Sequence, residues 1–193
     1  MPKEKTYDKA QVVDTVINLF QKKGYNGTSM QDIVETTKLG RSSIYNSFDS
    51  KQGLFEEVLK SYGARYNKLI TKAIDCSSNA FEAIHNIFGV HINVIVNDKT
   101  HSGCLWVNTK AELWNTDKYM TEVLKKSQKD FLNLFVNLVE LGQKEKTINS
   151  NSNAESYALY LITAIHGLRL TGKSHQNRKE LEELTSLSLK CLE

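Results

Sequence analysis

A single proline, Pro2, stands among 193 residues, so beyond the first two positions no ring removes a backbone donor or blocks a helix. Glycine is scarce as well: ten residues, most of them where helices would have to stop. No apolar run approaches the length of about 18 residues that a membrane helix needs, and the N-terminus lacks the apolar stretch of a secretory signal. No membrane contact is expected, and the cytoplasm is the expected compartment. Cysteine is sparse too. Cys76, Cys104 and Cys191 are odd in number and lack any short metal-ligand spacing, so reduced thiols are expected in place of a disulfide framework or a metal site. Charge excludes little: the net value is +3, and residues 1–51 carry eight Lys/Arg against six Asp/Glu. Hydrophobic residues at 40% and charged residues at 24% fit a globular chain, with disorder expected only in the first few residues.

What is present is helical periodicity. Val12, Val13, Val16, Ile17 and Phe20 make one stripe between Asp8 and Lys23, and Gly24 after two lysines is a helix stop. Thr28-Ser29-Met30-Gln31 has the pattern of a capping box, with Thr28 as cap and Gln31 reaching back. A short helix carrying Met30, Ile33 and Val34 follows. Lys38-Leu39-Gly40 reads as a tight turn, and Arg41 to Phe48 as a second short helix with Ile44 and Phe48 inward. Two short helices joined by such a turn match the helix-turn-helix signature. Asp49-Ser50 caps a longer helix that runs to about Cys76. Further helices are predicted over 80–97, 103–114, from Asp117 to near Gly142, over 154–172 and over 177–192. The class is all-α with about nine helices; only the apolar run at 92–96 is ambiguous.

Residues 28–54, T-S-M-Q-D-I-V-E-T-T-K-L-G-R-S-S-I-Y-N-S-F-D-S-K-Q-G-L, resemble the N-terminal domain of the TetR family of repressors. The spacing of Tyr45, Phe48, Lys51 and Leu54 carries most of the likeness. The segment G-C-L-W-V-N-T-K-A-E-L, residues 103–113, resembles a subgroup with Gly-Cys-Leu at this place, some members of which sense electrophiles or oxidants through cysteine. The turn departs from the family pattern: Lys38 stands where a glycine is usual, and Gly40 where a serine is usual. A lysine in a left-handed position costs free energy. The resemblance implies a helix-turn-helix DNA-binding domain over 1–50 and an effector-binding and dimerisation domain over 51–193. The implied function is repression, with release from the operator by a small-molecule or reactive effector.

In a helix-turn-helix the first residues of the second helix face base edges. Here these are Arg41, Ser42 and Ser43, with Tyr45 and Asn46 a turn later. Arg41 is the candidate for a bidentate guanine contact, worth about 1–3 kcal/mol in discrimination. Thr28 at a helix N-terminus is a candidate phosphate contact, and the resemblance gives the same role to Tyr45 and Lys51. Plain structural roles compete: capping for the serines, a half-buried ring for Tyr45, a solvated charge for Lys51.

One such motif reads about half a turn of groove, so a homodimer on a palindromic double-stranded operator is expected. The helix over 154–172 is apolar around most of its surface and carries small residues, which places Tyr157, Leu161, Ala164 and Leu168 at the candidate dimer interface, together with the last helix. The alternative is a central core helix. Aromatic residues crowd the middle of the chain. Tyr62, Tyr66, Phe88, Trp106, Trp114 and Phe131, with His91, Cys104 and Asn108, are candidates for an effector pocket, and the alternative is a filled core. Cys104 beside His101 at a helix start has the setting of a reactive thiol, although a free cysteine is more often buried and inert.

No Gly-rich phosphate loop, nucleophile elbow or paired metal-ligand motif is present, and His85 and His91 are six apart, off a common ligating face. No catalytic residue, metal or cofactor is expected. The rivals are an enzyme and a helical interaction protein without DNA binding.

Overall fold

The computed structural model describes residues 7–193, all-α, with nine α-helices, a final 3-10 turn and no strand among the described residues. The disorder expected for the first few residues falls outside them.

Helix α1 (Lys9–Lys23) starts at Asp8, whose carboxylate accepts from the Ala10 N–H at 2.9 Å. Its buried residues are the five of the apolar stripe. It stops at Gly24, whose φ of 74° and ψ of 177° lie in a region that side-chain-bearing residues essentially do not enter. The Tyr25 ring beyond it lies with its centre 5.0 Å from that of Phe55, which in turn packs on Phe20 of α1.

Helix α2 (Met30–Thr37) is capped by Ser29, one residue later than expected. The Asp32 N–H donates to Ser29 Oγ at 3.1 Å, and the Ser29 N–H donates back to Asp32 Oδ2 at 2.8 Å. The sequence offers the capping box in two adjacent registers, Thr28 with Gln31 and Ser29 with Asp32. The second wins because a charged, short acceptor at the third helical position makes the stronger bond. Lys23 also donates to Asp32, at 2.5 Å; this bond first, then those from Ser29, hold its carboxyl below the usual range.

Helix α3 (Arg41–Phe48) has the expected bounds, with Gly40 as its cap. Helix α4 (Lys51–Asp75) follows, its first turn capped by Ser50 Oγ, which accepts from the Gly53 N–H at 2.9 Å. The chain divides into two compact units at Tyr66/Asn67, inside α4. The first unit has a core of Val16, Phe20, Ile33, Ile44, Leu54 and Val58, each fully buried.

In the second unit lie α5 (Ala80–Asn97), α6 (Leu105–Leu113), α7 (Lys118–Glu145), α8 (Ala154–Thr171) and α9 (Arg178–Leu189). The ambiguous run at 92–96 is helix, closing α5. Helix α7 does not stop at Gly142: it continues to Glu145 and ends at the left-handed Lys146. Gly142 is there for a different reason, since a Cβ on it would lie 2.5 Å from the Ile148 side chain. The glycine lets the returning chain seat Ile148 in the core. Isoleucines of α5, Phe135 and Val139 of α7, Ala158 and Leu161 of α8 and Leu181 of α9 form one packed cluster.

Candidate functional site

Helix α3 shows two sides. Ile44 and Phe48 are buried, while Arg41, Ser42, Tyr45 and Asn46 are exposed together. Helical spacing produces this division: the apolar pair i, i+4 turns inward, and Ser42, Tyr45 and Asn46 fall on another arc of the helix, while Arg41 is its exposed first residue. Ser43 is half-buried, and its carbonyl oxygen accepts from Tyr7 Oη at 2.8 Å, so its backbone belongs to the scaffold and not to the open face.

The turn before α3 is held by an unfavoured residue. Lys38 sits at φ 60°, ψ 19°, and its N–H donates to the Val34 oxygen at 2.8 Å, closing α2. Gly40 has an ordinary φ of −66° and offers α3 no side-chain cap. The free choice of backbone that glycine supplies is thus used at neither position of the turn.

Two expected phosphate contacts have other partners. Thr28 is fully buried, and its hydroxyl donates to the Gly24 oxygen at 2.6 Å; the hydroxyl presented at the start of α2 is that of Ser29. The register shift of the cap is the cause. Lys51 Nζ donates to the carbonyl oxygens of Tyr25 at 2.9 Å and Thr28 at 3.0 Å, with the Tyr25 ring centre 4.2 Å away. It ties the α1–α2 connection to the head of α4. Tyr45 remains exposed.

The candidate effector residues are split by the unit boundary. Tyr62 and Tyr66 lie in the first unit with ring centres 5.0 Å apart, and the others lie in the second. Phe88 is fully buried in the second core, and His91 is buried beside it in sequence, its ring edge-on to Phe131 at 6.5 Å. Burial, and then the charges of Arg169 and His166, push the His91 pKa down to about 3. His91 is therefore a neutral core residue. Trp106 and Trp114 are half-buried, and Lys110 Nζ lies 5.3 Å from the Trp114 ring centre. Asn108 Nδ2 donates to the Ser102 oxygen at 2.8 Å, bracing the start of α6. Cys104 precedes α6 as its cap residue and is buried, whereas Cys76 and Cys191 are exposed.

The residues placed at a dimer interface are largely inside. Tyr157, Leu161 and Leu168 are buried in the chain's own core, and Ala164 is half-buried against it. The open apolar residues of α8 are Leu159, Tyr160 and Leu170, on a stripe that includes Gly167, where a Cβ would meet open space. Leu184 and Leu187 of α9 are exposed as well. A helix apolar around most of its surface does not declare in its sequence which side faces inward.

Among the described residues no group of three or more His, Cys, Asp or Glu side chains is placed to hold a metal ion, and no helix is long and apolar enough to cross a membrane.

Residues 12–58 match the family described as bacterial regulatory proteins, tetR family, and residues 80–187 match the tetracyclin repressor-like C-terminal domain. The chain is 24% identical over 194 residues to the uncharacterized HTH-type transcriptional regulator YezE of Bacillus subtilis, covering all of both chains. It is 23% identical over 187 residues to the HTH-type transcriptional repressor ComR of Escherichia coli, covering 96% of this chain and 89% of that one. Its fold superposes with a TM-score of 0.89 on the TetR family regulator CifR, solved as a cysteine mutant with 26-bp double-strand operator DNA. Sequence identity there is 20%, over 99% of this chain and all of that one.

Proposed function

This chain belongs to the tetR family of bacterial regulatory proteins, and on that premise we propose that it is a transcriptional repressor that binds a palindromic double-stranded operator as a homodimer in the cytoplasm. The observation that carries the reading is the exposed face of α3, where Arg41, Ser42, Tyr45 and Asn46 stand clear of the core while Ile44 and Phe48 are buried. Arg41 is the base reader, Tyr45 a phosphate contact, and Ser42 and Asn46 short polar contacts that let the helix approach the base edges. The backbone N–H groups at the N-terminus of α2 supply a phosphate site in place of Thr28, since the Ser29 hydroxyl donates to Asp32 Oδ2 at 2.7 Å. Lys51 acts on DNA mainly through the loop that it fixes.

The dimer forms through the stripe of Leu159, Tyr160, Gly167 and Leu170 on α8 with Leu184 and Leu187 on α9. Five exposed large apolar residues on two helices are a surface that a second copy covers well, and Gly167 lets two α8 helices approach closely. In this reading the residues that line α8 inward support the interface without touching it. The same reading gives the chain no enzymatic role, which is supported by relatives that are transcriptional regulators.

An effector bound in the second unit releases the operator by favouring the form whose reading heads are wrongly spaced. The half-buried Trp106 and Trp114, with Lys110 over the latter, are the part of this region open to a ligand. Release by a reactive effector through Cys104 is the second reading, carried by the Gly-Cys-Leu resemblance. It requires an opening of the α6 start, because the thiol is buried.

The test is a gel shift with the DNA upstream of the chain's own gene, at rising salt. A specific shift that weakens steeply with salt supports the reading, and Arg41→Ala weakens it for that duplex while leaving a scrambled duplex less affected. Absence of any shift at low salt removes it. For Cys104, the Cys104→Ser protein is treated with an oxidant while bound; release equal to that of the unsubstituted protein removes the reactive-effector reading.

A further inference from the structure

The segment leading into α1 is stitched to α3. Tyr7 Oη donates to the Ser43 carbonyl oxygen at 2.8 Å, across 36 residues of sequence, and is also hydrogen-bonded to Ser47 Oγ. A phenol has one hydrogen, so in the second bond the serine donates. Two residues on, Lys9 Nζ donates to the Ser47 carbonyl oxygen at 2.5 Å and stands 5.3 Å from the centre of the Phe48 ring. Ser47 is among the last four residues of α3, whose carbonyls have no acceptor role within the helix. A cation there also meets the negative end of the helix dipole.

The placement matters because α3 is only eight residues long, too short to hold its own conformation or axis. Ile44 and Phe48 anchor it through apolar contact, which resists separation but carries little directional preference. Hydrogen bonds are directional, and those from Tyr7 and Lys9 fall on Ser43 and Ser47, one turn apart and on a different side from Arg41, Ser42, Tyr45 and Asn46. Two points one turn apart fix the roll of a helix about its axis, and the roll decides where the tip of Arg41 meets the groove.

We propose that Tyr7 and Lys9 are positioning residues that set the roll of α3 and so govern operator specificity without touching a base. The inference rests on the reading of α3 as the DNA-reading helix. It assigns to Lys9, which a charge count would class as a phosphate contact, a role inside the protein.

The experiment uses the full chain with Tyr7→Phe, Lys9→Met and Lys9→Arg. Affinity is measured for a duplex that the unsubstituted chain enriches from a randomised library and for a scrambled duplex of equal length, over a range of salt. Amide hydrogen exchange of α3 is followed in the protein without DNA. Tyr7→Phe and Lys9→Met are expected to weaken the enriched duplex by about tenfold, the scale of one lost base contact, and to leave the scrambled duplex unchanged. The salt slope stays the same, α3 amides exchange faster, and Lys9→Arg restores both. Equal loss on both duplexes with a salt slope reduced by about one for Lys9→Met makes Lys9 a phosphate contact and overturns the proposal. An unaltered specificity ratio, or unaltered exchange in α3, overturns it too. Failure of the unsubstituted chain to enrich any duplex overturns the DNA reading itself, and the exchange data tell that failure from failure of the clamp.

Discussion

The ammonium of Lys51 donates to the carbonyl oxygen of Thr28 at 3.0 Å, joining the first residue of α4 to the residue before the cap of α2. The same nitrogen reaches the Tyr25 oxygen at 2.9 Å and lies 4.2 Å from the centre of the Tyr25 ring. Two loop carbonyls and one aromatic face thus surround a cation that the family resemblance assigns to a phosphate. The α1–α2 connection is held at both ends of its exposed turn, by Gly24 at the start and by Lys51 at Thr28.

Lys51→Met keeps the aliphatic stem and removes the donors. It is expected to destabilise the free protein by about 1–2 kcal/mol, since charge-assisted bonds to two carbonyls are lost. Urea denaturation without DNA measures this. A stability equal to that of the unsubstituted chain, with operator affinity alone reduced, would return Lys51 to the phosphate role.

Lys38 holds a left-handed position that suits glycine, and Gly40 holds an ordinary cap position that suits serine. Left-handed backbone costs a side-chain-bearing residue about 1–2 kcal/mol, offset in part by the greater chain entropy that glycine loses on folding, about 0.5–1 kcal/mol. Lys38→Gly therefore stabilises by about 0.5–1 kcal/mol. Gly40→Ser adds a few tenths through a cap on α3, and a Cβ there has room, with its nearest neighbour, Ser42 Oγ, at 3.9 Å. Denaturation of both variants and the pair followed by far-UV circular dichroism tests this; a destabilised Lys38→Gly protein would show that the turn relaxes without strain.

Leu170 and Leu161 lie on the same helix with opposite surroundings: the first is 61% exposed and the second fully buried. Leu170→Asp is expected to leave a folded monomer with the helical content of the unsubstituted chain. Leu161→Ala is expected to cost about 2–5 kcal/mol by leaving a cavity in the core. Analytical ultracentrifugation and thermal denaturation separate the two. A Leu170→Asp protein that sediments as a dimer at micromolar concentration would move the interface elsewhere.

His91 gives the fold a pH dependence of definite sign. Its folded pKa is depressed to about 3 by burial first, then by the charges of Arg169 and His166, against an ordinary value near 6.5. Between these values the unfolded chain binds a proton that the folded chain does not, so stability rises with pH in this window. Above about pH 7 the contribution is complete; as the pH falls through about 6.5 toward 3 it is lost, by a few kcal/mol in all. His166, depressed by burial and by Lys110, adds in the same direction. His91→Phe is expected to flatten the profile of stability between pH 4 and 6.5, measured by urea denaturation at each pH. An unchanged slope would mean that His91 is protonated in the folded state.

Most helix bounds were legible in the sequence, because each is set by residues within one or two turns. The stripe of α1, the bounds of α3 and the caps at Asp8, Asn79 and Asp117 are local chemistry. Where two local solutions compete the sequence is equivocal: the capping box fits Thr28 or Ser29, and the stronger acceptor Asp32, which Lys23 also binds, selects the second. Gly142 reads as a stop and proves to be a close approach, a difference that resides in Ile148, six residues on, and not in its immediate neighbours.

The amino-acid pattern by itself determined an all-α chain with a helix-turn-helix whose second helix runs from Arg41 to Phe48, since periodicity and turn signals are written within a few residues, even where tertiary contacts are needed to hold the helix. Tertiary structure decided which residues of that motif remain on the outside. The bonds from Tyr7 to Ser43, from Lys9 to Ser47 and from Lys51 to Thr28 join positions 23 to 38 residues apart. It also decided which side of α8 is core, because a helix apolar around most of its surface is oriented by the volume and shape of what packs against it.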